Sequence, residues 1–439
     1  MNELTSISAV ILEEWLILNN ISNKELYLIS IFLLFAFLIV LLAKKYKIPI
    51  VVGYVFLGIL MSPDIISLLP LIDQEFTNLY TFILANLNYV TTIALSFIAF
   101  TIGSELSIKT IKRLGKNILY IALLESFGAF VVVTTAIYLI GNPLYMALLF
   151  GAIASATAPA ATVMVLKEYN AEGPLTSTIM AVVGLDDALA LIIFSLINPI
   201  AYSQYLGGAG EPLNLSALII YPLTEIFGSI LVGLALGYAA QYLLTIFTEK
   251  TKKILTIVTT IILSSSMAVF FEFSPLIANM SVGFAIKNFA KKNLQISEYL
   301  DTLTIPLYAM FFIIAGTEIR FSEMGSLSFL LIAFSYLTAR IIGKVGGSTL
   351  AAKVSGAPET VKKYIGLGLL PQSGVAIALA YTVQKQYTQE TEVGLLIFNT
   401  LLLTAAITEV VGPLLTKYAV VNAGEINTGN QSRDDYSQF

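Results

Sequence analysis

The chain has 439 residues, 57% hydrophobic and only 12% charged, with mean hydropathy +0.85 and formal net charge −4. A soluble domain carries about 25% charged residues, so a soluble fold is excluded. Apolar runs of about 20 residues recur from end to end, and only helices or closed barrels span lipid; long unbroken runs select helices. Cysteine and histidine are both absent. That rules out a disulfide framework and a thiolate metal site, and leaves any pH response near neutrality to carboxylates or lysines.

Residues 1–22 lack a basic start, and Glu13 and Glu14 interrupt their apolar run. They read as an interfacial helix rather than a signal peptide. Thirteen spans follow, near 27–44, 50–63, 88–106, 117–141, 145–167, 174–197, 216–245, 252–270, 275–290, 301–317, 328–350, 364–384 and 394–417. The polar stretch 420–439 reads as a disordered cytoplasmic tail. With the first span ending inside, one side collects 18 of the 24 basic residues, from Lys44 to Lys417, and the other only Lys24, Arg320 and Lys385. The positive-inside rule then places the N-terminus outside and the C-terminus inside.

The sequence repeats itself. FIAFTIGSELSI, ending in the 97–108 region, is similar to FFIIAGTEIRF at 311–321, and KIPIVVGYVFLGIL around Pro49 to FSPLIANMSVGFAI around Pro275. Spans 1–6 and 8–13 are therefore read as two copies. Seven spans separate equivalent positions, an odd number, so the copies insert in opposite orientation, as in secondary transporters. One span in each copy is interrupted midway: span 5 at Thr157-Ala158-Pro159, span 12 at Pro371-Gln372-Ser373-Gly374. Proline removes a backbone donor, and irregular backbone at membrane depth survives only where it lines a cavity or is buried in protein. Two such breaks at equivalent positions point to a binding site between crossed helices 5 and 12.

Asp186 and Asp187, in VVGLDDALAL, fall near the middle of span 6. Adjacent helical residues point about 100° apart, so both reach one cavity. Intramembrane carboxylates are functional by default. They can hold a proton or coordinate a small cation, but not both at once, which is the competition an exchanger needs. Lys344 sits well inside span 11 as a counter-charge for one aspartate. Arg340, one turn earlier, is expected to pair with a buried glutamate, the candidates being Glu125, Glu225 and Glu409.

The order of a TAP break, GLDDALAL, a lysine-bearing span and a broken PQSG span resembles the monovalent cation/proton antiporter superfamily, over about residues 27–417. Its members include NhaA- and NapA-like sodium/proton antiporters and Kef-like potassium/proton exchangers. The resemblance implies that Asp187 binds the cation, that Asp186 pairs with Lys344, and that Thr157 faces the ion, so sodium would sit at Asp187 and Asp186. Keeping Asp-Asp and the lysine, the chain resembles the electrogenic branch; Arg340 is similar to a buried arginine of the electroneutral one. The implied protein is a multi-pass cell-membrane (inner or plasma membrane) antiporter and a homodimer in lipid. It exchanges Na⁺ or Li⁺ for H⁺, with neither cofactor nor nucleic-acid partner. Within 27–417, spans 1–2 and 7–9 form a scaffold and spans 3–6 and 10–13 a moving core. The alternatives are potassium/proton exchange and electroneutral sodium/proton exchange. An intramembrane aspartyl protease is a remote one, since GLDD is close to GLGD, but that chemistry needs aspartates on two helices. No enzymatic activity is expected.

Overall fold

The computed structural model describes residues 24–46, 50–69, 72–207, 215–247, 249–290, 296–319, 326–372, 374–387 and 393–426. The expected interfacial helix at 1–22, the residue Ser373 and all but the start of the 420–439 tail lie outside the described residues. Every regular element among those described is helical. Among the described residues, eight helices are long and apolar enough to cross a membrane, and a ninth crossing results if the bent pair 359–369 and 374–386 counts as one.

The chain divides into two compact units. The first contains residues 1–105 and 224–326. Its helices are α1 (Lys24–Tyr46), α2 (Ile50–Leu60), α3 (Gln74–Asn86) and α4 (Asn88–Glu105), then α9 (Leu215–Ile246) for most of its length, α10 (Lys250–Phe270), α11 (Pro275–Phe289) and α12 (Ile296–Thr317). α3 falls outside the expected spans. Asp73 starts it, accepting a hydrogen bond from the Phe76 amide at 2.7 Å, as an N-cap aspartate should. Proline at the first position and a serine cap start α11 in the same way.

Glycines hold this unit together. A side chain on Gly58 would meet the Ile313 carbonyl and the Gly316 Cα; one on Gly103 would meet Met280, and one on Gly283 the Phe100 carbonyl. Backbones thus touch where α2 crosses α12 and where α4 crosses α11, the small-residue packing that lipid, offering no hydrophobic drive, demands. Spans 3 and 10 (α4 and α12) lie in the first unit, where their glycines seat them on α11 and α2.

The second unit contains residues 106–223 and 327–439. It holds α5 (Ile108–Leu139), α6 (Leu144–Ala154), α7 (Pro159–Glu168), α8 (Pro174–Gly207), α13 (Leu327–Val354), α14 (Glu359–Tyr364, continued as a 3₁₀ turn to Leu369), α15 (Gly374–Gln386) and α16 (Val393–Asn422). Gly128 of α5 touches Gly343 and Gly347 of α13 through backbone atoms. This close approach brings Glu125 opposite Lys344. Beyond α16 the chain turns back. The Glu425 carboxylate accepts from the Leu175 and Thr176 amides at 2.7 Å and from the Thr176 hydroxyl at 2.8 Å. A carboxylate from elsewhere in the sequence thereby satisfies the orphan donors that open α8.

Candidate functional site

Proline decides the local geometry. In a continuous helix the amide of residue 159 would bond the Ser155 carbonyl. Pro159 has no amide hydrogen, so that carbonyl is left over, and residues 155–158 leave the helix between α6 and α7. The second break falls between Leu369 and Gly374, at Pro371, with a 45° bend. The two breaks bond to one another. The Ala158 amide donates to the Pro371 carbonyl at 2.8 Å, the Thr162 hydroxyl to the Gly368 carbonyl at 2.9 Å, and the Gln372 side-chain amide to the Ile153 carbonyl at 3.0 Å. Tyr336 steadies Gln372 through its hydroxyl.

Two cations take up the freed carbonyls. Arg340 donates from Nε to Ala154 O at 3.1 Å, from one terminal nitrogen to Leu370 O at 2.6 Å and from the other to Ala156 O at 2.8 Å. A planar fork with five donors spans both breaks at once, which a lysine cannot do. The carbonyl ends of helices carry partial negative charge, so the guanidinium also answers the dipoles of α6 and of the 3₁₀ turn. Lys344, one turn along α13, donates to the Ser155 carbonyl at 2.7 Å, to Glu125 Oε2 at 2.8 Å and to the Thr157 hydroxyl. These three bonds use every hydrogen of the ammonium.

Asp186 lies 3.5 Å from Lys344 Nζ as an ion pair, and the Thr157 hydroxyl donates to its Oδ2. Thr157 thus accepts from the lysine and donates to the aspartate, joining the two. Ser126 donates to the other oxygen of Glu125 at 3.0 Å. Glu125, Asp186, Arg340 and Lys344 are all fully buried, 0% exposed. The second oxygen of Asp186, Oδ1, is also buried and has no hydrogen-bond partner among the described residues. Asp187, on the next position of α8, is half-buried. One ammonium therefore serves two carboxylates. With both ionised, Glu125 and Asp186 are matched by the two buried cations Lys344 and Arg340, and an open carboxylate oxygen of Asp186 remains. That oxygen, with Asp187 at the next position of α8, can take a proton or a cation.

The family model for the transmembrane sodium/hydrogen exchanger matches residues 31–417. The chain belongs to the sodium/hydrogen exchanger family. It is 23% identical over 399 residues to the Na⁺/H⁺ antiporter NhaH of Halobacillus dabanensis, covering 87% of this chain and 95% of that one. It is 24% identical to the ammonium/H⁺ antiporter subunit AmhT of Alkalihalophilus pseudofirmus, over 81% and 86% of the two chains. Among solved structures, the sodium proton antiporter MjNhaP1 of Methanocaldococcus jannaschii at pH 8 superposes with TM-score 0.69 at 19% identity, covering 91% of this chain and 98% of that one. The exchanger is thus a multi-pass, all-helical membrane protein of an antiporter family, not an enzyme.

Within the exchanger, Thr157, Asp186, Lys344, Arg340, Glu125, Gln372 and the backbone of Pro159 and Pro371 converge. Asp187 adjoins them on α8. Gly374 opens α15, and its Cβ position is open space. Glu225 lies on α9 in the first unit. The pairing expected for Arg340 is not its direct bonding. Its hydrogen bonds go to backbone carbonyls. The glutamate instead meets the lysine, because the glycine contact of α5 with α13 brings Glu125 to Lys344. Ser155 and Ser126 were missed. The signal for the first was available, since the carbonyl four residues before an intramembrane proline always needs another donor.

Proposed function

We propose that the protein is a sodium(lithium)/proton antiporter of the cell membrane, working by alternating access, in which cation and protons compete for Asp187 and Asp186. The observation that carries this reading is the buried Glu125–Lys344–Thr157–Asp186 cluster beside two helix breaks that bond to one another. Glu125 keeps the lysine compensated in every state. Asp186 can then take up a proton or turn to a cation without leaving the ammonium bare, which a two-member pair would not permit. Asp187, half-buried beside it, is the exchange carboxylate that reaches the entering ion, and Thr157 offers its oxygen. Two protonatable aspartates traded for one monovalent ion move one net charge, so exchange is electrogenic.

The same reading takes thirteen crossings, two inverted copies over spans 1–6 and 8–13, the N-terminus outside and the C-terminus inside. Its support is the placement of the two breaks and of the α2–α12 and α4–α11 glycine contacts, each made by elements from opposite copies. The unit of α5–α8 and α13–α16 carries the ion, and the other unit is the scaffold. The protein works as a homodimer in lipid. A second reading, exchange of a larger monovalent cation such as K⁺, is favoured by the likeness to a protein named as an ammonium/H⁺ antiporter subunit. Proteoliposomes with an imposed proton gradient decide between them. Na⁺ or Li⁺ dissipates the gradient under the first reading, and K⁺ alone under the second. Exchange that ignores the membrane potential refutes the electrogenic stoichiometry.

A further inference from the structure

The second unit holds a cavity of about 390 Å³ that the mechanism above does not use. Small-ligand sites occupy about 300–1,000 Å³, so it is large enough to receive one. Three elements wall it. One wall is the stretch of α5 from Lys116 to Ile121, and a second is Thr178 in the opening turns of α8. The third is Ala357 with Pro358. Gly356, at φ 69°, ends α13, and the Ala357 amide bonds back to the Ala352 carbonyl at 2.9 Å, which fixes the turn that presents them. The floor is apolar: Ile121 is part of the buried cluster that also contains Ile179 and Ala352, and Ile118 packs on it. The rim is not. Lys116 and Asn117 are exposed, and neither side chain has a hydrogen-bond or ion-pair partner among the described residues. The other donors nearby are engaged. The Thr178 hydroxyl donates to the Pro174 carbonyl at 2.7 Å, and Glu425 holds the Leu175 and Thr176 amides. Donation to a ligand therefore falls to Lys116 and Asn117.

We propose that this cavity binds the phosphate of an anionic phospholipid of the inner leaflet, with Lys116 and Asn117 as its donors. The inference takes its sidedness from the antiport reading, which puts this end of α5 inside. Charge selects an anion. Lys109 and Lys112 precede Lys116 on one side of α5, the three within about 60° of arc, and all are exposed. Glu359, the residue after Pro358, is already held by Lys362 at 2.7 Å. The helix selects a lipid over a free anion. Tyr120, Leu123, Phe127 and Val131 follow Lys116 at steps of three or four residues, within about 80° of it, and each is at least 41% exposed. Lys116 thus heads an apolar stripe, ends a basic one, and lines the cavity as well. That order matches a headgroup with an acyl chain running from it, and basic pockets between membrane helices on the cytoplasmic side take anionic headgroups. Occupancy bears on the ion site because each wall belongs to, or leads from, an element of the buried cluster. α5 carries Glu125, α8 carries Asp186 and Asp187, and α13 carries Lys344. A headgroup that ties their inner ends together holds the register in which these charges meet.

The test uses the full-length protein in detergent, with dioleoylphosphatidylglycerol, dioleoylphosphatidylcholine or inorganic phosphate added. At a hundredfold excess over Kd, phosphatidylglycerol raises the melting temperature by about 5 °C, and the other two leave it in place. Lys116→Gln/Asn117→Ala binds about tenfold more weakly, which roughly halves the shift at the same lipid concentration. Lys287→Gln removes an equal charge from an exposed position on α11 and keeps the full shift. Native mass spectra of the same samples count the lipid, wild type retaining one phosphatidylglycerol more than the double variant. Equal shifts in wild type and double variant overturn the proposal, as does an equal shift with phosphatidylcholine. A shift reproduced by inorganic phosphate overturns the lipid as occupant. The chain has no cysteine, so Lys116→Cys reports its own side. Labelling by an impermeant maleimide only after cells are opened supports the inner leaflet, and labelling of intact cells overturns it. None of these readouts needs transport. A protein that binds phosphatidylglycerol in this way yet moves neither Na⁺ nor K⁺ keeps this proposal and sinks the antiport reading.

Discussion

Lys344 is the charge on which the buried cluster depends, and replacing it by methionine tests how its two carboxylates are held. The variant keeps the volume but leaves Glu125 and Asp186 facing one another with no cation, and leaves the Ser155 carbonyl without its donor. Breaking one side of a buried ion pair costs about 3–5 kcal/mol. Globular unfolding carries about 2.1 cal/mol/K of entropy per residue, or about 0.5 kcal/mol/K for a unit of roughly 230 residues. A loss of 4 kcal/mol then lowers the melting temperature by about 8 °C. Glu125→Gln alone also destabilises, and by less, because Lys344 still has Asp186 at 3.5 Å. The double variant Lys344→Met/Glu125→Gln should recover about 2–3 kcal/mol relative to the sum of the singles, since the cost lies in the charge left behind rather than in the lost contact. Melting of all four proteins in one detergent, monitored by intrinsic fluorescence, measures the cycle. Strictly additive single-variant costs would show that Glu125 and Lys344 do not share a charge, and the account of the site would fall.

Asp187→Asn should abolish exchange and barely move the melting temperature, since the side chain is half-buried; vesicle transport beside a thermal melt reads both. Thr157→Val removes a hydroxyl bonded to two charged groups, and at about 1.5–3 kcal/mol the apparent cation affinity falls roughly 10- to 150-fold, seen as a raised KM. Arg340→Lys keeps the charge but leaves two of three break carbonyls without donors, so a loss of about 2–4 kcal/mol appears in denaturant or thermal unfolding; an unchanged melt refutes the clamp. Gly58→Leu drives a side chain into the Ile313 carbonyl and costs about 1–3 kcal/mol or more, measured as lower yield and melting temperature of the purified protein.

The all-helical membrane fold and the two breaks were legible because membrane burial is demanding: a titratable side chain or a proline inside a 20-residue apolar run has few bland explanations. Asp186, Asp187, Thr157, Lys344 and Arg340 all announce themselves in this way. The partners were not legible. Glu125 and Lys344 are 219 positions apart, and their meeting depends on where Gly128 sits against Gly343 and Gly347, a register no single segment encodes. Arg340 was misdirected toward glutamates because charges suggest charges, whereas the breaks supplied carbonyls. α3 escaped because its amphipathic pattern is short beside the apolar runs, and its cap, Asp73, reads equally well as a loop residue. Which unit spans 3 and 10 pack into was not legible either, because the glycine contacts that seat them are silent in composition.

The return of Glu425 to the start of α8 gives the protein a practical boundary. A reporter or affinity tag joined after residue 426 leaves the α8 cap in place, whereas a chain cut after the last turn of α16, at Asn422, strips the opening amides of α8 of their acceptor. Because α8 carries Asp186 and Asp187, removing the segment that holds Glu425 amounts to loosening the mount of the ion site.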